Sequence, residues 1–312
     1  MEHLAPIVLF VYNRPWHTAQ TLEALSKNTL ANQSIIYIFS DGAKEGASGE
    51  DISKINQVRS LLLEKQWCKE VNIVHRDQNL GLANNVIDGV TQVINKHGKV
   101  IVLEDDILTG KYFLKFMNDG LNIYREELKV FGISGYKFPS KGTVDSESYF
   151  LPLSSSWSYA TWFDRWNDVS FNGDELLIKI DNLNLKEKLN FGHYPFYRML
   201  VDQVKGLNNS WAIRFYSSML LKESYFLFPK TSLVENIGFD NTGVHCGAEN
   251  SFSNVKLSNF EIKVAKQRVC LKKGIVSKFQ EGFLQESNLK KGNGVKRIKQ
   301  LMKGLIRKNF NF

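Results

Sequence analysis

Three consecutive carboxylates, Glu104-Asp105-Asp106, close the apolar run Lys99-Val100-Ile101-Val102-Leu103. Like charges in a row repel one another unless something compensates them, and a divalent cation is the simplest compensation. Oxygen ligands of this kind suit Mg2+ or Mn2+, with the remaining positions left to water or diphosphate oxygens. In an extended strand Glu104 and Asp106 point to one face and Asp105 to the other, so at most two of them reach one ion directly. A solvated acidic turn would carry the same triplet. The apolar strand that delivers it to a sheet edge favours a site.

Asn13-Arg14-Pro15 and Asp41-Gly42 close two further apolar runs. An Asp before Gly makes a tight turn whose carboxylate can accept from a base N–H or a ribose hydroxyl, and an Arg can stack or fork onto a nucleotide. Taken singly, each is also an ordinary turn. Arg76 and Asn79-Leu80-Gly81 precede a helix expected from about residue 82. Backbone N–H groups there, with Gly81 permitting close approach, would face a phosphate or a sugar. Neither G-x-G-x-x-G nor G-x-x-x-x-G-K-[ST] occurs, which argues against dinucleotide enzymes and P-loop ATPases. The six histidines form no H-x-x-x-H pair, so a zinc enzyme is not expected. His245 lies in the Gly-bounded stretch 239–247, which could fold over a ligand as a lid. Cys246 beside it has no identifiable base partner and is not read as a nucleophile.

The elements that must position these residues alternate. Short β-branched runs at 7–12, 34–39, 71–75 and 99–103 are separated by helical patterns at 18–27, 53–64 and 82–96. Strands buried on both faces and separated by helices imply an open α/β fold, with a mainly parallel sheet flanked by helices and right-handed crossovers. Ligands in such sheets sit beyond the carboxyl ends of the strands, where the polar clusters above fall. After residue 110 come a helix at 113–127, a strand at 130–134, an irregular aromatic region, a polar excursion at 174–192, a helix opening near 209 and a strand at 225–228. Trp157-Ser-Tyr-Ala-Thr-Trp162 and Trp166 make a cluster that is either core or a sugar platform. Trp157, Tyr159 and Trp162 would offer faces to an acceptor, or plug the junction between sheet and C-terminal layer.

A chain of 312 residues, 43% hydrophobic and 12% aromatic, can bury a large core and fits one catalytic domain. That domain is expected over 1–250, with a nucleotide-binding half (1–110) and an acceptor half (111–250), then a basic tail (251–312). No signal peptide and no run of roughly 18 apolar residues is seen, and three irregularly spaced cysteines suit neither a disulfide framework nor zinc, so a cytoplasmic setting is expected. The formal charge of +8 gathers after Lys256. In the tail, Ile298, Leu301, Met302 and Leu305 fall at helical spacing opposite a basic face, either docking on the core or touching an anionic membrane surface. Nucleic acid is not an expected partner, because basic and aromatic residues do not interleave along one face.

Asn13-Arg14, Ser40-Asp41-Gly42, the 76–81 stretch and above all Val102-Leu103-Glu104-Asp105-Asp106-Ile107 with Phe113-Leu114-Lys115-Phe116 resemble the GT-A glycosyltransferases. The likeness is greatest to the N-acetylglucosaminyltransferase I type, where an E-D-D triplet stands in place of D-x-D. It covers roughly residues 5–165, and the C-terminal part is similar to bacterial sugar transferases. The resemblance implies Arg14 and Asp41 at uridine, Glu104 and Asp105 near ribose and sugar, Asp106 as metal ligand and 243–247 closing over the diphosphate. It also implies a base on a helix whose counterpart begins near Ser210. No Asp or Glu stands there; Asn209 is the nearest polar substitute, and Asp202 and Asp164 are the fallback bases.

The enzyme so implied is a Mn2+- or Mg2+-dependent hexosyl- or N-acetylhexosaminyltransferase. It would use a nucleotide-sugar donor, UDP-linked by the resemblance, and a glycan or lipid-linked acceptor, with inversion, in bacterial surface polysaccharide synthesis. The metal would neutralise the leaving diphosphate while a carboxylate deprotonates the acceptor hydroxyl. Two alternatives stand beside it: a sugar nucleotidyltransferase, whose usual Gly-rich basic N-terminal loop is absent after Val11, and a non-catalytic nucleotide-sugar or glycan-binding protein.

Overall fold

The computed structural model describes residues 3–240 and 255–285. Its first third alternates strand and helix: β1 (Ile7–Val11), α1 (Pro15–Ser26), β2 (Ile35–Ser40), α2 (Gly49–Leu62), β3 (Glu70–His75), α3 (Gly81–His97) and β4 (Lys99–Glu104). The strands lie in the order β3-β2-β1-β4, all parallel. Their register pairs Phe10 with Glu104, Val11 with Ser40 and Ser40 with His75, so the four carboxyl ends finish nearly level.

Alternate side chains leave β1 and β4 for opposite faces, as the strand repeat of two demands. Val8, Phe10, Val100 and Val102 enter one core cluster, and Ile7, Leu9, Ile101 and Leu103 enter the other. Helix α3 covers the first face with Ala83, Val86, Val90 and Val93, a helical stripe; α1 and α2 cover the second through Leu22, Leu25, Val58 and Leu62. Leu9 is fully buried, and Leu9→Ala would cost about 2–5 kcal/mol.

Beyond β4 the chain forms β5 (Ile107–Thr109), α4 (Phe113–Ile123), β6 (Val130–Ser134), β7 (Ser148–Leu151), β8 (Tyr159–Trp162) and α5 (Phe163–Asn167). Then come α6 (Gly173–Asn182), α7 (Lys186–Leu189), α8 (Phe196–Val204), α9 (Trp211–Leu221), β9 (Tyr225–Pro229) and β10 (Val234–Asn236). One sheet continues through both halves of the chain in the order β3-β2-β1-β4-β8-β6-β9-β7, and β10 pairs with β5 in a small second sheet. Strands β6 and β9 run with β4, while β8 and β7 run against it. The expected α/β architecture, an open and mainly parallel sheet flanked by helices, is the one observed.

The direction of β8 matters for the site. It pairs Tyr159 with Val102 and Trp162 with Lys99, so residues just before β8 sit at the carboxyl edge and residues just after it at the opposite edge. Tyr159 and Trp162 themselves are fully buried, and Trp162 Nε1 donates to Leu121 O at 3.1 Å. They plug the core and offer no face to an acceptor.

Residues 255–285, expected within a basic tail, run back over the body. Tyr124 Oη donates to Ala265 O (3.0 Å), Gln267 Nε2 to Ser148 O (3.1 Å), and a helix over 273–285 buries Phe279 and Phe283 in the core. The amphipathic pattern at 296–308 lies outside the described residues. Among the described residues no helix is long and apolar enough to cross a membrane.

Candidate active site at the carboxyl edge

Strand β4 ends at Glu104, and Asp105 and Asp106 form a turn before β5. Because they turn rather than extend, both carboxylates reach one partner, the Arg14 guanidinium. Arg14 Nη2 stands 3.0 Å from Asp106 Oδ2 and also binds Asp105 Oδ1, with Nε 3.3 Å from Asp105 Oδ2. Arg14 directly precedes α1, whose entry is set by Pro15, and Thr21 of the same helix donates Oγ1 to Asp105 O at 2.8 Å. The charge compensation expected from a cation is therefore met in part by Arg14, which is engaged here and not extended toward a base.

Burial raises the pKa of Glu104, and Asp106 and Asp105 beside it raise it further. Burial raises Asp105 as well, against the pull of Arg14. Burial alone would lower Arg14, but Asp105 and Asp106 outweigh it and hold its pKa above the ordinary value.

Asp106 is buried, and the chain after β10 lies across it. Ile237 N donates to its carbonyl at 2.9 Å, and a Cβ on Gly238 would overlap Asp106 Oδ2. Only glycine lets that backbone lie so close. Oδ2 faces Arg14, while Oδ1 is buried with no hydrogen-bond partner.

At the ends of β2 and β3 the polar residues bind one another. Asp41 Oδ1 accepts from Gly42 N (3.0 Å) and Leu80 N (2.9 Å), and Oδ2 from Gly81 N (3.1 Å). The N–H groups expected to face a phosphate are thus taken by Asp41, which ties β2 to the start of α3. Gly81 adopts φ +71°, the left-handed conformation that glycine tolerates. Asn79 Nδ2 donates to Gly42 O at 2.8 Å, a second tie between the same loops. Arg76 turns onto α3, binding Asp88 and reaching Asn85 Oδ1 at 3.3 Å, while its guanidinium lies 5.0 Å from the centre of the Phe39 ring. Asn13 Nδ2 donates to Asp51 Oδ1 at 3.1 Å; Asp51, which no motif in the sequence singles out, also takes part in the Ser48 cap of α2.

A second unforeseen pair lies beyond β10. His17 Nε2, buried on α1, stands 3.1 Å from Asp240 Oδ2. It brings the chain leaving Gly238 against α1, without the geometry of a hydrogen bond. No local motif announces the pair, because its members are more than two hundred residues apart. His245 lies outside the described residues.

On the other side of the carboxylates, Trp157 packs on Tyr136 (ring centres 4.4 Å apart) and on Phe239 (5.4 Å). It lines a half-open cavity of about 170 Å³ to which α8, α9 and the 273–285 helix also contribute side chains. Asp164 is not near it. It comes just after Trp162, which pairs with the first residue of β4, at the sheet edge opposite Glu104, and binds Arg165 at 2.6 Å. The antiparallel course of β8 removes Asp164 from the candidate bases. Asp202 lies on α8, whose Phe196 and Met199 line the cavity, with Oδ1 2.8 Å from Arg198 Nε. Helix α9 opens as expected, with Ser210 as its cap, and Asn209 Oδ1 accepts from Arg214 Nη2 at 3.0 Å.

Among the described residues no three His, Cys, Asp or Glu side chains gather as a metal-ligand set. Mg2+ and Mn2+ ask less when a substrate diphosphate shares the coordination, since one or two carboxylates then suffice. Asp106 Oδ1, buried and partnerless, fits that smaller demand.

No protein-family model and no curated protein matches this chain. Among solved structures it is similar to S. aureus TarS, with 14% identity and a TM-score of 0.33 over 51% of this chain and 28% of that one. It is similar to UDP-glucose pyrophosphorylase complexed with UDP-glucose, with 12% identity and a TM-score of 0.36 over 73% and 90% of the two chains. Mouse xyloside xylosyltransferase 1 gives 11% identity and a TM-score of 0.34 over 71% and 83%. The chain thus spans less than a third of the length of TarS.

Proposed function

We propose that the chain is a GT-A type glycosyltransferase that moves a hexose or N-acetylhexosamine from a UDP-linked donor to a glycan or lipid-linked acceptor, with inversion. The observation that carries this is Asp106: a buried carboxylate at the carboxyl end of β4, turned by Arg14 and left with one partnerless oxygen. A buried polar atom without a partner is costly, and a site that receives a ligand explains its retention.

Asp106 would hold Mn2+ or Mg2+ through Oδ1, and such an ion, when bound, supplies positive charge at the leaving diphosphate. Arg14 keeps Asp105 and Asp106 aimed and adds a fixed charge beside them. The acceptor oxygen forms a bond to the anomeric carbon as the carbon–oxygen bond to the diphosphate breaks. The electron pair leaves with the nucleoside diphosphate and the acceptor proton passes to a carboxylate base, for which Asp202 on α8 is the remaining candidate from the sequence. Attack opposite the leaving group inverts the anomeric carbon. A growing surface glycan is the acceptor the proposal favours, and the basic 296–308 segment would bring the enzyme to an anionic membrane surface.

Incubation with UDP-, GDP- and dTDP-sugars and a mixed glycan acceptor tests the proposal. Acceptor-dependent release of nucleoside diphosphate supports it; release of pyrophosphate would mean nucleotidyl transfer, and donor binding without release a binding protein. Asp202→Asn should lower kcat by about 10²–10⁴-fold, while Asp164→Asn leaves it unchanged.

A further inference from the structure

Residues 256–273 carry Lys256, Lys263, Lys266, Arg268, Lys272 and Lys273 against one acidic residue, Glu261. All six cations are exposed. Three contacts place the segment. Ser258 N donates to Ser232 O at 2.8 Å just beyond β9, Glu261 Oε1 stands 3.7 Å from Lys115 Nζ on the first turn of α4, and Ala265 O accepts from Tyr124 Oη where α4 ends. The segment is therefore an ordered strap laid along α4.

Its inner residues are apolar and its outer ones basic. Ile262, Val264, Val269 and Leu271 pack on the core beneath, and Lys263, Lys266 and Arg268 are interleaved with them on the solvent side, as the repeat of two in an extended chain favours. Most of this charge is not used within the fold. Lys266 faces Glu127 at 3.8 Å, and Glu261 is held by Lys115, which also binds Asp119 at 2.7 Å. Among the described residues no carboxylate pairs with Lys256, Lys263, Arg268, Lys272 or Lys273.

Phe260 is a second, independent observation. Ser258 Oγ accepts from Phe260 N at 3.3 Å, a turn that presents the residue with 83% of its surface exposed. Leu128, next to the Glu127 that faces Lys266, is 71% exposed. Neither side chain serves the core.

These features select the partner. Five of the six cations are lysines, point charges that demand no fixed partner geometry, and they are strung along an extended chain instead of converging on one point. One small anion needs convergence; a plane of anionic headgroups does not. Lysines are drawn to such a plane within about a Debye length, and an exposed aromatic ring settles at headgroup level. Single-stranded nucleic acid stacks its bases on aromatic side chains set among the cations, and no aromatic residue stands between Lys263 and Lys273.

We infer that the 256–273 strap is a docking surface for an anionic membrane, with its lysines at the headgroups and Phe260 entering the interface. This contact belongs to the folded body and is separate from residues 296–308. It goes beyond the proposed transfer reaction, since lipid binding requires neither donor nor turnover.

Co-sedimentation of the full chain with phosphatidylcholine vesicles, with and without phosphatidylglycerol, tests it at low and high salt. Wild type should bind only the vesicles that contain phosphatidylglycerol, and high salt should weaken that binding by roughly tenfold or more. Lys263→Glu combined with Arg268→Glu, at two exposed and unpaired side chains, should weaken it by roughly tenfold or more while the melting temperature stays at the wild-type value. Phe260→Ser should weaken it by about threefold or more with the charge unchanged. The emission of Phe260→Trp should shift to the blue with phosphatidylglycerol vesicles alone. With Lys296, Arg297, Lys299 and Lys303 all replaced by Gln, binding should persist and still fall with either strap change. Vesicle binding by a protein that transfers no sugar would support the surface and count against the transferase reading alone. Absence of binding to phosphatidylglycerol vesicles, binding unchanged by both strap changes, or tighter binding to single-stranded RNA at equal phosphate concentration would overturn the inference.

Discussion

Arg14 Nη2 lies 3.0 Å from Asp106 Oδ2 and binds Asp105 with the same nitrogen, joining the first helix to the end of the fourth strand across about ninety residues of sequence. The pair is mostly buried, Arg14 with 17% of its side chain exposed and Asp106 with 7%. One guanidinium therefore holds the two carboxylates at which the proposed donor complex would bind.

Removing that guanidinium leaves two buried carboxylates unpaired. Arg14→Ala should lower stability by roughly 3–5 kcal/mol, the usual cost of breaking a buried pair from one side. Added Mn2+ should restore part of the loss if Asp106 takes the ion. Arg14→Lys should rescue poorly, because one ammonium cannot match a fork that spans two carboxylates. Urea denaturation with and without Mn2+ measures both effects.

The raised pKa values of Glu104 and Asp105 predict a pH dependence. In the unfolded chain both ionise near their ordinary values of about 4. Between those values and the raised folded ones the folded chain holds more protons, so stability is full below the unfolded range and falls as pH rises through the folded values. Metal-free protein should lose melting temperature between about pH 5 and about pH 8, and Glu104→Gln should flatten the loss. A slope equally steep in the variant would remove Glu104 from the explanation.

Gly238→Ala separates the site from the fold. The added Cβ overlaps Asp106 Oδ2 and stands 3.1 Å from Arg14 Nη1, so either Asp106 or the backbone must move. Donor affinity should fall at least tenfold, a displacement that costs about 1.4 kcal/mol or more. Nucleotide titration of this variant beside Gly274→Ala, where nothing stands within 4 Å, gives the comparison.

The sequence made some of this legible. The strands at 7–12, 34–39, 71–75 and 99–103 came within a residue or so of their observed bounds, because burial on both faces writes a continuous apolar run in the inner strands, and the half-exposed edge strand β3 still carries Val71, Ile73 and Val74. Their carboxyl ends therefore identified Arg14, Asp41, Arg76 and Asp106 as neighbours along one edge. What each side chain does there was not legible. Asp41 binds the N–H groups of Leu80 and Gly81, and Arg76 turns to Asp88, through contacts that no local pattern encodes. Strand β8 is four residues of Tyr-Ala-Thr-Trp that read equally as core or platform, and its antiparallel direction is set only by pairing with β4. That direction is what placed Asp164 at the wrong edge.

Asp41 predicts a structural phenotype. Asp41→Ala leaves the N–H groups of Gly42, Leu80 and Gly81 without their acceptor and should cost about 3 kcal/mol. Hydrogen exchange should quicken first at the start of α3, with Asp41→Asn intermediate.

The most direct test is calorimetric titration of UDP into wild type and Asp106→Ala, each with Mn2+ and with chelator. The account predicts binding by wild type that strengthens at least tenfold with Mn2+, and binding by Asp106→Ala that is weak and indifferent to the ion. Equal Mn2+ dependence in the two proteins, or no UDP binding by a folded wild type, would contradict it.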